Sequence, residues 1–292
     1  MTLYLLVILK QKDIRREGVS IDVPGAILGI TGLGGPVFAL IEQGTYGWAS
    51  PVIFVPFVVG ILSLAAFIWW QAKAKAPMLP LGLFAIRNFS AGNIATTFVY
   101  AALNIGGFIT VVLLQQVAGL SATLAALAFL PETIESIGLS TYFGALSGKY
   151  GPRVFMTVGP TLAGIGYLLF LRIGENVNYS WDVLPGVLVF SLGLAMTVAP
   201  LTAAILGSVS QSQSGIGSAT NNAISRVAGL IGIAMIGVIV GGTLDTAGFH
   251  RVLVVTAVLF FLGGAVSFVG IRKQGGLVPA VAPPPEPTAA PS

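Results

Sequence analysis

Two glutamates are predicted to lie inside one long apolar segment of the chain, where an ionised group needs a partner. Glu132 and Glu135 are three positions apart, so on a helix they share a face and repel each other. A charge at the centre of a bilayer costs about 2.5–3.5 kcal/mol on insertion scales. The pair is therefore a candidate for recognising a cationic ligand or for binding a proton. The alternative interpretation is structural, with the acids paired to a basic residue on a neighbouring helix.

Pro131 precedes the first of these acids. Its ring has no N–H, so the carbonyl of Leu127 loses its helical donor. The sequence therefore predicts a kink in this helix beside the two glutamates.

Four further polar residues fall within or at the ends of other apolar segments. Arg226 is the candidate counter-ion for either glutamate, although its side chain could instead extend to the membrane surface. We favour a structural or gating role for it. Gln115, Asn221 and Asn222 are candidates for lining a cavity. For each of these three taken singly, a hydrogen bond between helices, often worth only about 0.6 kcal/mol, is the preferred interpretation.

Composition sets the class of protein. Of the 292 residues, 55% are hydrophobic and only 8% are charged. Soluble domains average about 25% charged residues, so a soluble fold is excluded. The net charge of +4 does not indicate nucleic-acid binding, because the basic residues are dispersed along the chain.

Composition also restricts the chemistry. The chain has no cysteine and one histidine, which excludes disulfides, thiolate metal sites and histidine metal clusters. That histidine, His250, is interpreted as a solvated residue at a helix end. Lys149 is not followed by the Ser or Thr of a P-loop, so ATP-driven chemistry is not encoded. No metal or cofactor is expected.

Eight segments are apolar and long enough to cross a bilayer, for which about 20 residues are needed. They lack the alternation of a β-barrel, and helices satisfy their own backbone groups in lipid. The sequence therefore predicts an all-α membrane protein with eight transmembrane helices. The predicted spans are 23–42, 51–71, 90–112, 121–146, 153–171, 184–207, 217–241 and 251–271.

Basic residues divide unequally between the two ends of these spans. One end carries Lys10, Lys12, Arg15, Arg16, Lys73, Lys75, Arg87, Lys149, Arg153, Arg272 and Lys273. The opposite end carries only Arg172 and Arg251. Because positive charge collects on the cytoplasmic side, the pattern predicts a multi-pass protein of the cell membrane with both chain ends in the cytoplasm.

The loop after the fourth span carries a recognisable motif. Residues 144–153 read GALSGKYGPR and resemble the G-x-L-x-D-R-x-G-x-R loop signature of the major facilitator superfamily. Gly144 permits close helix approach, Gly151 permits a tight turn, and Lys149 and Arg153 hold the loop on the cytoplasmic side. In that family the loop is linked to the conformational change of transport. Gly148 stands where the family usually has Asp, so the resemblance does not carry over the charge relay associated with that Asp.

Three other segments resemble the fourteen-span drug:proton antiporters of the same superfamily, the group that contains bacterial multidrug exporters. Residues 21–26, IDVPGA, resemble the entry to the extra helix pair of that subfamily. Residues 114–122, LQQVAGLSA, resemble its ninth-to-tenth helix junction, and residues 221–234 resemble its thirteenth helix. Together the motifs cover nearly the whole chain up to about residue 273.

The resemblance implies a division of the chain. It assigns 1–22 to the end of a truncated helix and a cytoplasmic loop, 23–71 to two linker helices, 72–87 to a cytoplasmic loop, and 88–273 to a C-terminal six-helix bundle. Residues 274–292 form a Pro-rich tail whose composition predicts disorder. The N-terminal six-helix bundle would be missing, through a gene fragment, a wrongly assigned start or a split transporter.

The implied function is proton-coupled efflux of lipophilic or cationic drugs, with lipid, a drug-like molecule and protons as partners and with no transport by the chain alone. One alternative is a non-transporting membrane partner or a subunit of a split transporter. A third, an intramembrane enzyme, is weakly supported because no histidine, cysteine or metal cluster accompanies the acids.

Overall fold

The computed structural model describes residues 22–74, 77–174, 177–241 and 245–272 of the chain. The predictions made for residues 1–21 and for the Pro-rich tail lie outside the described residues. So do Lys10, Lys12, Arg15, Arg16, Lys75 and Lys273, which contribute to the predicted charge asymmetry.

The predicted all-α membrane fold is confirmed, and the described ranges contain eight helical segments long and apolar enough to span a membrane. The first and second spans are α1 (Val23–Tyr46) and α2 (Pro51–Lys73), and the third is α3 (Arg87–Gln116). The fourth consists of α4 (Ala122–Leu127) and α5 (Leu130–Tyr150). The remaining four are built on α6 (Pro152–Leu169), α7 (Leu184–Leu206), α8 (Ser214–Val240) and α9 (Thr246–Gly270).

Side-chain and glycine caps explain several helix ends. The Asp22 carboxylate accepts a hydrogen bond from the Gly25 amide at 2.9 Å and so caps α1. Asp245 caps α9 in the same way, accepting from the Gly248 amide at 2.7 Å. Gly151 separates α5 from α6 with a φ of 92°, a conformation that glycine adopts without strain.

The fourth span differs from its prediction. The sequence predicts a kink at Pro131 within one continuous helix, but the structure has a two-residue turn at Ala128 and Phe129, because α4 ends at Leu127 and α5 begins at Leu130. Pro131 lies in the first turn of α5. A first-turn amide has no helical acceptor in any case, so the missing N–H of proline costs no hydrogen bond there. The interruption therefore creates a helix N-terminus partway through the span.

Six of the spans pack in a crossed arrangement. The first three of these spans are α3, α4–α5 and α6, and the last three are α7, α8 and α9. The helix α3 of the first three packs against α8 and α9 of the last three. Correspondingly, α7 packs against α5 and α6, while α6 and α9 pack against each other. The helices α1 and α2 pack together, and α1 also packs against α8.

Aromatic side chains pack in the core of this bundle, and a glycine on α3 allows that helix to approach them closely. Tyr167 is 1% exposed, and its ring centroid lies 5.0 Å from that of Phe190 and 5.6 Å from that of Phe260. A Cβ added at Gly106 would lie 2.4 Å from the Tyr167 hydroxyl oxygen, so α3 reaches this position only with glycine. The bundle therefore brings α3, α6, α7 and α9 together around one tyrosine.

Candidate functional site

A cavity of about 310 Å³ opens inside the bundle beside Tyr167. It lies between α3, the interrupted fourth span, α6 and α7. Its lining residues are Leu103, Gly107, Val111, Ala126, Phe129, Glu132, Tyr167 and Phe190. Small-molecule sites are typically apolar cavities of about 300–1,000 Å³ with a few polar groups. The cavity matches that description.

Glu132 is the one charged residue among the described residues that line the cavity. It lies in the first turn of α5, where the partial positive charge of a helix N-terminus favours an anion. Its carboxylate forms no hydrogen bond or ion pair with any residue that the structure describes. The helix interruption thus presents an unpartnered carboxylate to an apolar space.

Three aromatic residues line the same cavity as this carboxylate. Phe129 lies in the break between α4 and α5, and Tyr167 and Phe190 come from α6 and α7. The rings of Tyr167 and Phe190 meet edge to face, with an interplanar angle of 75°. The negative face of an aromatic ring attracts cations, and the effect increases where water is excluded. A carboxylate beside three aromatic rings is suited to a lipophilic cation.

Glu135 has a different environment from Glu132. Its Oε2 accepts a hydrogen bond from the hydroxyl of Ser191 on α7, so it joins α5 to α7. It does not line the cavity. Ser136, four residues from Glu132 and thus on the same face of α5, has a buried hydroxyl without a hydrogen-bond partner in the described part of the chain.

Arg226 does not pair with either glutamate in the part of the chain that the structure describes. It lies exposed on α8, which packs against α3 and α1, whereas α5 packs against α7. Its electrostatic neighbour is Tyr100 on α3. The ion pair considered from the sequence is therefore not formed in this structure.

The three polar candidates differ in their surroundings. The Asn221 amide donates to Asn93 Oδ1 at 3.1 Å and to Thr96 Oγ1 at 2.8 Å, linking α8 to α3. Asn222 is exposed. The Gln115 amide donates to the Val111 carbonyl one turn earlier, at 3.3 Å. None of the three candidates lines the cavity.

The loop motif lies at the other end of α5. A Cβ at Gly144 would be 3.4 Å from Ala199 Cβ, so α5 and α7 are in contact there. The Lys149 ammonium lies 5.4 Å from the centroid of the Tyr150 ring. Arg153 Nε donates to the Phe268 carbonyl at 2.9 Å. Together with the turn at Gly151, these contacts join the motif to α7 and α9.

A second polar cluster joins the start of α1 to the end of α2. The Asp22 carboxylate accepts from Trp70 Nε1 and Gln71 Nε2, each at 2.7 Å, and Gln71 Oε1 accepts from the Leu79 amide at 2.9 Å. Partial desolvation raises the pKa of Asp22, but its hydrogen bonds outweigh that effect and hold the pKa below the ordinary value. The cluster fixes the loop that leads to α3.

Sequence reasoning missed most of the residues that build the cavity. Phe129, Tyr167 and Phe190 are aromatic residues in apolar segments, and no spacing distinguishes them from core residues. Ser191 is one of several hydroxyls in the spans, most of which donate to the carbonyl four residues earlier. A usable signal existed only for Ser136, whose spacing from Glu132 places both on one helix face.

The chain is similar in sequence to known membrane transport and resistance proteins. No family model matches the chain. The chain is 30% identical over 221 residues to the methylenomycin A resistance protein of Bacillus subtilis (strain 168), covering 75% of this chain and 47% of that protein. It is 28% identical over 266 residues to the uncharacterized MFS-type transporter YcnB of the same organism, covering 87% and 56%. The chain is a homologue of MFS-type transporters.

The proteins similar to this chain include drug-resistance proteins. The chain is 27% identical over 249 residues to the multidrug resistance protein Stp of Mycobacterium tuberculosis (strain ATCC 25618 / H37Rv), covering 84% of this chain and 45% of that protein. The chain spans about half the length of the curated relatives that it matches.

Proposed function

We propose that this chain is part of a drug:proton antiporter of the major facilitator superfamily and that it exports lipophilic cations in exchange for protons. The proposal rests on one observation above all. Glu132 forms no hydrogen bond or ion pair with the described residues, and it lines a cavity of about 310 Å³ whose aromatic groups come from the break before α5 and from α6 and α7. The names of the homologous resistance proteins support the transporter class.

Competition at one carboxylate can couple the two fluxes. Ionised Glu132 attracts a cation, whereas a proton on the same carboxylate removes the charge that holds it. A proton arriving from one side therefore favours release of the drug, and loss of that proton restores the cation site. No group of this chain needs to undergo covalent chemistry for this exchange.

The chain would provide one wall of the transport pathway. We propose that residues 88–273 are the C-terminal six-helix bundle and that residues 23–71 are the linker helices of a fourteen-span antiporter. A second six-helix bundle, on the same polypeptide or on another, would supply the opposite wall. Rocking of the two bundles about the midplane would expose the site alternately to each side. The base-rich end would face the cytoplasm of the cell, with both chain ends on that side.

Dye efflux tests this proposal. The chain is expressed in bacteria lacking their main efflux pumps, alone and together with the N-terminal six-helix half of the methylenomycin A resistance protein. Efflux of ethidium is expected only from the combination. It should stop when an uncoupler removes the proton gradient or when Glu132 is changed to Gln.

A matched variant controls for the loss of one acid. Glu42→Gln removes a carboxylate from α1, away from the cavity, and should leave efflux unchanged. Efflux that persists in Glu132→Gln would contradict the assigned site. Absence of efflux from every combination, with the chain present in the membrane, would contradict the transporter proposal.

A further inference from the structure

A second and larger cavity, of about 740 Å³, lies on the outside of the bundle at the start of α9. Apolar residues from three elements line it. Leu171 comes from the 3-10 turn Phe170–Arg172 that follows α6, Ile239 comes from the end of α8, and Val254 comes from α9. Val254 is 41% exposed, so this apolar groove faces outward, toward the lipid in a membrane. It shares no lining residue with the Glu132 cavity.

Basic groups are placed at one end of this groove. Arg251 and His250 both line it. Within the described residues, the Nε2 atom of His250 is buried and has no hydrogen-bond partner, so this histidine is not the fully solvated residue that the sequence suggested. Arg172 follows Leu171 in the same turn. Of the two bases predicted for this end of the molecule, Arg251 therefore lines the groove, and Arg172 is next in sequence to one of its lining residues.

The nearby acid does not neutralise Arg251. Asp245 directs its carboxylate to the Gly248 amide as the cap of α9, at 2.7 Å. In the part of the chain that the structure describes, Arg251 forms no ion pair with it. Among the described residues, no acid forms an ion pair with the guanidinium that an anion at this position would meet.

The position of Arg251 along α9 fixes its depth in a bilayer. The helix has 25 residues and is therefore about 37 Å long. The hydrocarbon core of a bilayer is about 30 Å thick, so each end of α9 extends a few ångströms into the headgroup layer. Arg251 lies about 7 Å from the start of α9, so its backbone is about 4 Å inside the hydrocarbon core and its long side chain can extend to the headgroups.

We propose that this groove binds an anionic phospholipid. The phosphate of the lipid contacts Arg251, and one acyl chain lies along Leu171, Ile239 and Val254. The charge of the lipid complements the Arg251 guanidinium, which forms no ion pair with the described residues, and the acyl chain covers the apolar surface. A lipid without net negative charge satisfies only the second of these requirements.

Native mass spectrometry of the purified chain tests the proposal. The chain is released from detergent micelles containing equal amounts of phosphatidylglycerol and phosphatidylcholine with the same acyl chains. Preferential retention of phosphatidylglycerol is expected. In Arg251→Gln the ratio of retained phosphatidylglycerol to phosphatidylcholine should fall about five-fold, the factor typical of one basic residue near anionic lipid.

Two further variants separate headgroup from acyl-chain binding. Val254→Trp fills the groove and should reduce retention of both lipids. Lys149→Gln removes one exposed base from the opposite end of the molecule, outside the groove, and should lower the ratio less than Arg251→Gln does. Equal retention of the two lipids by the unchanged chain, or an unchanged ratio in Arg251→Gln, would overturn the proposal.

Discussion

Arg153 contacts Phe268 in the last turn of α9, 115 residues later in the chain. Its Nε donates to the Phe268 carbonyl at 2.9 Å, and its Cζ lies 4.7 Å from the centroid of the Phe268 ring. Arg87 at the start of α3 donates in addition to the carbonyls of Val269 and Gly270, at 2.8 and 3.0 Å. Two positive charges from two other helices thus satisfy carbonyls at the negative end of α9.

Loss of the Arg153 contact should destabilise the bundle. Arg153→Gln removes both the hydrogen bond and the cation–π contact, and we expect the free energy of unfolding to fall by about 1–2 kcal/mol. Titration with sodium dodecyl sulfate in mixed micelles measures this quantity. Lys149→Gln is the control, because within the described residues Lys149 forms a cation–π contact with the adjacent Tyr150 and no hydrogen bond or ion pair. Equal stability of the two variants would show that the contact between α6 and α9 contributes nothing.

Adjacent glycines on α3 should differ in their tolerance of a methyl group. A Cβ at Gly106 would lie 2.3 Å from Cζ of Tyr167, whereas a Cβ at Gly107 meets nothing within 4 Å. Gly106→Ala should therefore lower the free energy of unfolding by about 1–3 kcal/mol, the usual cost of overpacking a core. Gly107→Ala should change it little. The same unfolding titration compares them, and a stable Gly106→Ala variant would be incompatible with the Tyr167 packing described above.

Two adjacent asparagines on α8 provide a third matched pair. Asn221 donates to Asn93 and Thr96 of α3, whereas Asn222 is exposed. Asn221→Ala should reduce the free energy of unfolding by about 0.6–1.7 kcal/mol, from the mean to the maximum measured for hydrogen bonds between membrane helices. Asn222→Ala should have a smaller effect. The opposite order of effects would contradict the assigned contact.

The spans could be predicted from the sequence because the thickness of the bilayer sets the length of an apolar segment and because charged residues lie mostly outside the hydrocarbon core. The helix ends at Asp22 and Gly151 were also predictable, since a capping carboxylate and a glycine turn act locally. The interruption before Pro131 was predicted only as a kink. Whether a proline bends a helix or begins a new one depends on the surrounding packing, which single-sequence patterns do not contain.

The candidate site was only partly predictable for the same reason. Glu132 and Glu135 are conspicuous as charges in an apolar segment, and the sequence treats them as one pair. The structure gives them different environments, because Glu135 accepts a hydrogen bond from Ser191 while Glu132 lines the cavity. Tyr167 and Phe190 reach Glu132 through the packing of α6 and α7 with α5, and these contacts between distant segments leave no local trace.

Acidification should weaken binding of a lipophilic cation to the chain. A cation is held by the ionised carboxylate of Glu132, and protonation at lower pH removes that charge. The affinity for tetraphenylphosphonium should therefore decrease as the pH falls and recover as it rises. Equilibrium dialysis at a series of pH values measures the change. In Glu132→Gln the affinity should be low and independent of pH, whereas an undiminished pH dependence in that variant would assign the titrating group elsewhere.

Equilibrium binding of tetraphenylphosphonium at neutral pH tests the role of Glu132 most directly. The purified chain in lipid nanodiscs is compared with Glu132→Gln and with the control Glu42→Gln, using scintillation proximity with the radiolabelled cation. We predict that Glu132→Gln raises the Kd at least about tenfold, since loss of one charged contact of about 1.4 kcal/mol or more gives that factor. Glu42→Gln should bind like the unchanged chain. A Kd for Glu132→Gln equal to that of the unchanged chain would contradict the assignment of this cavity as the cation site.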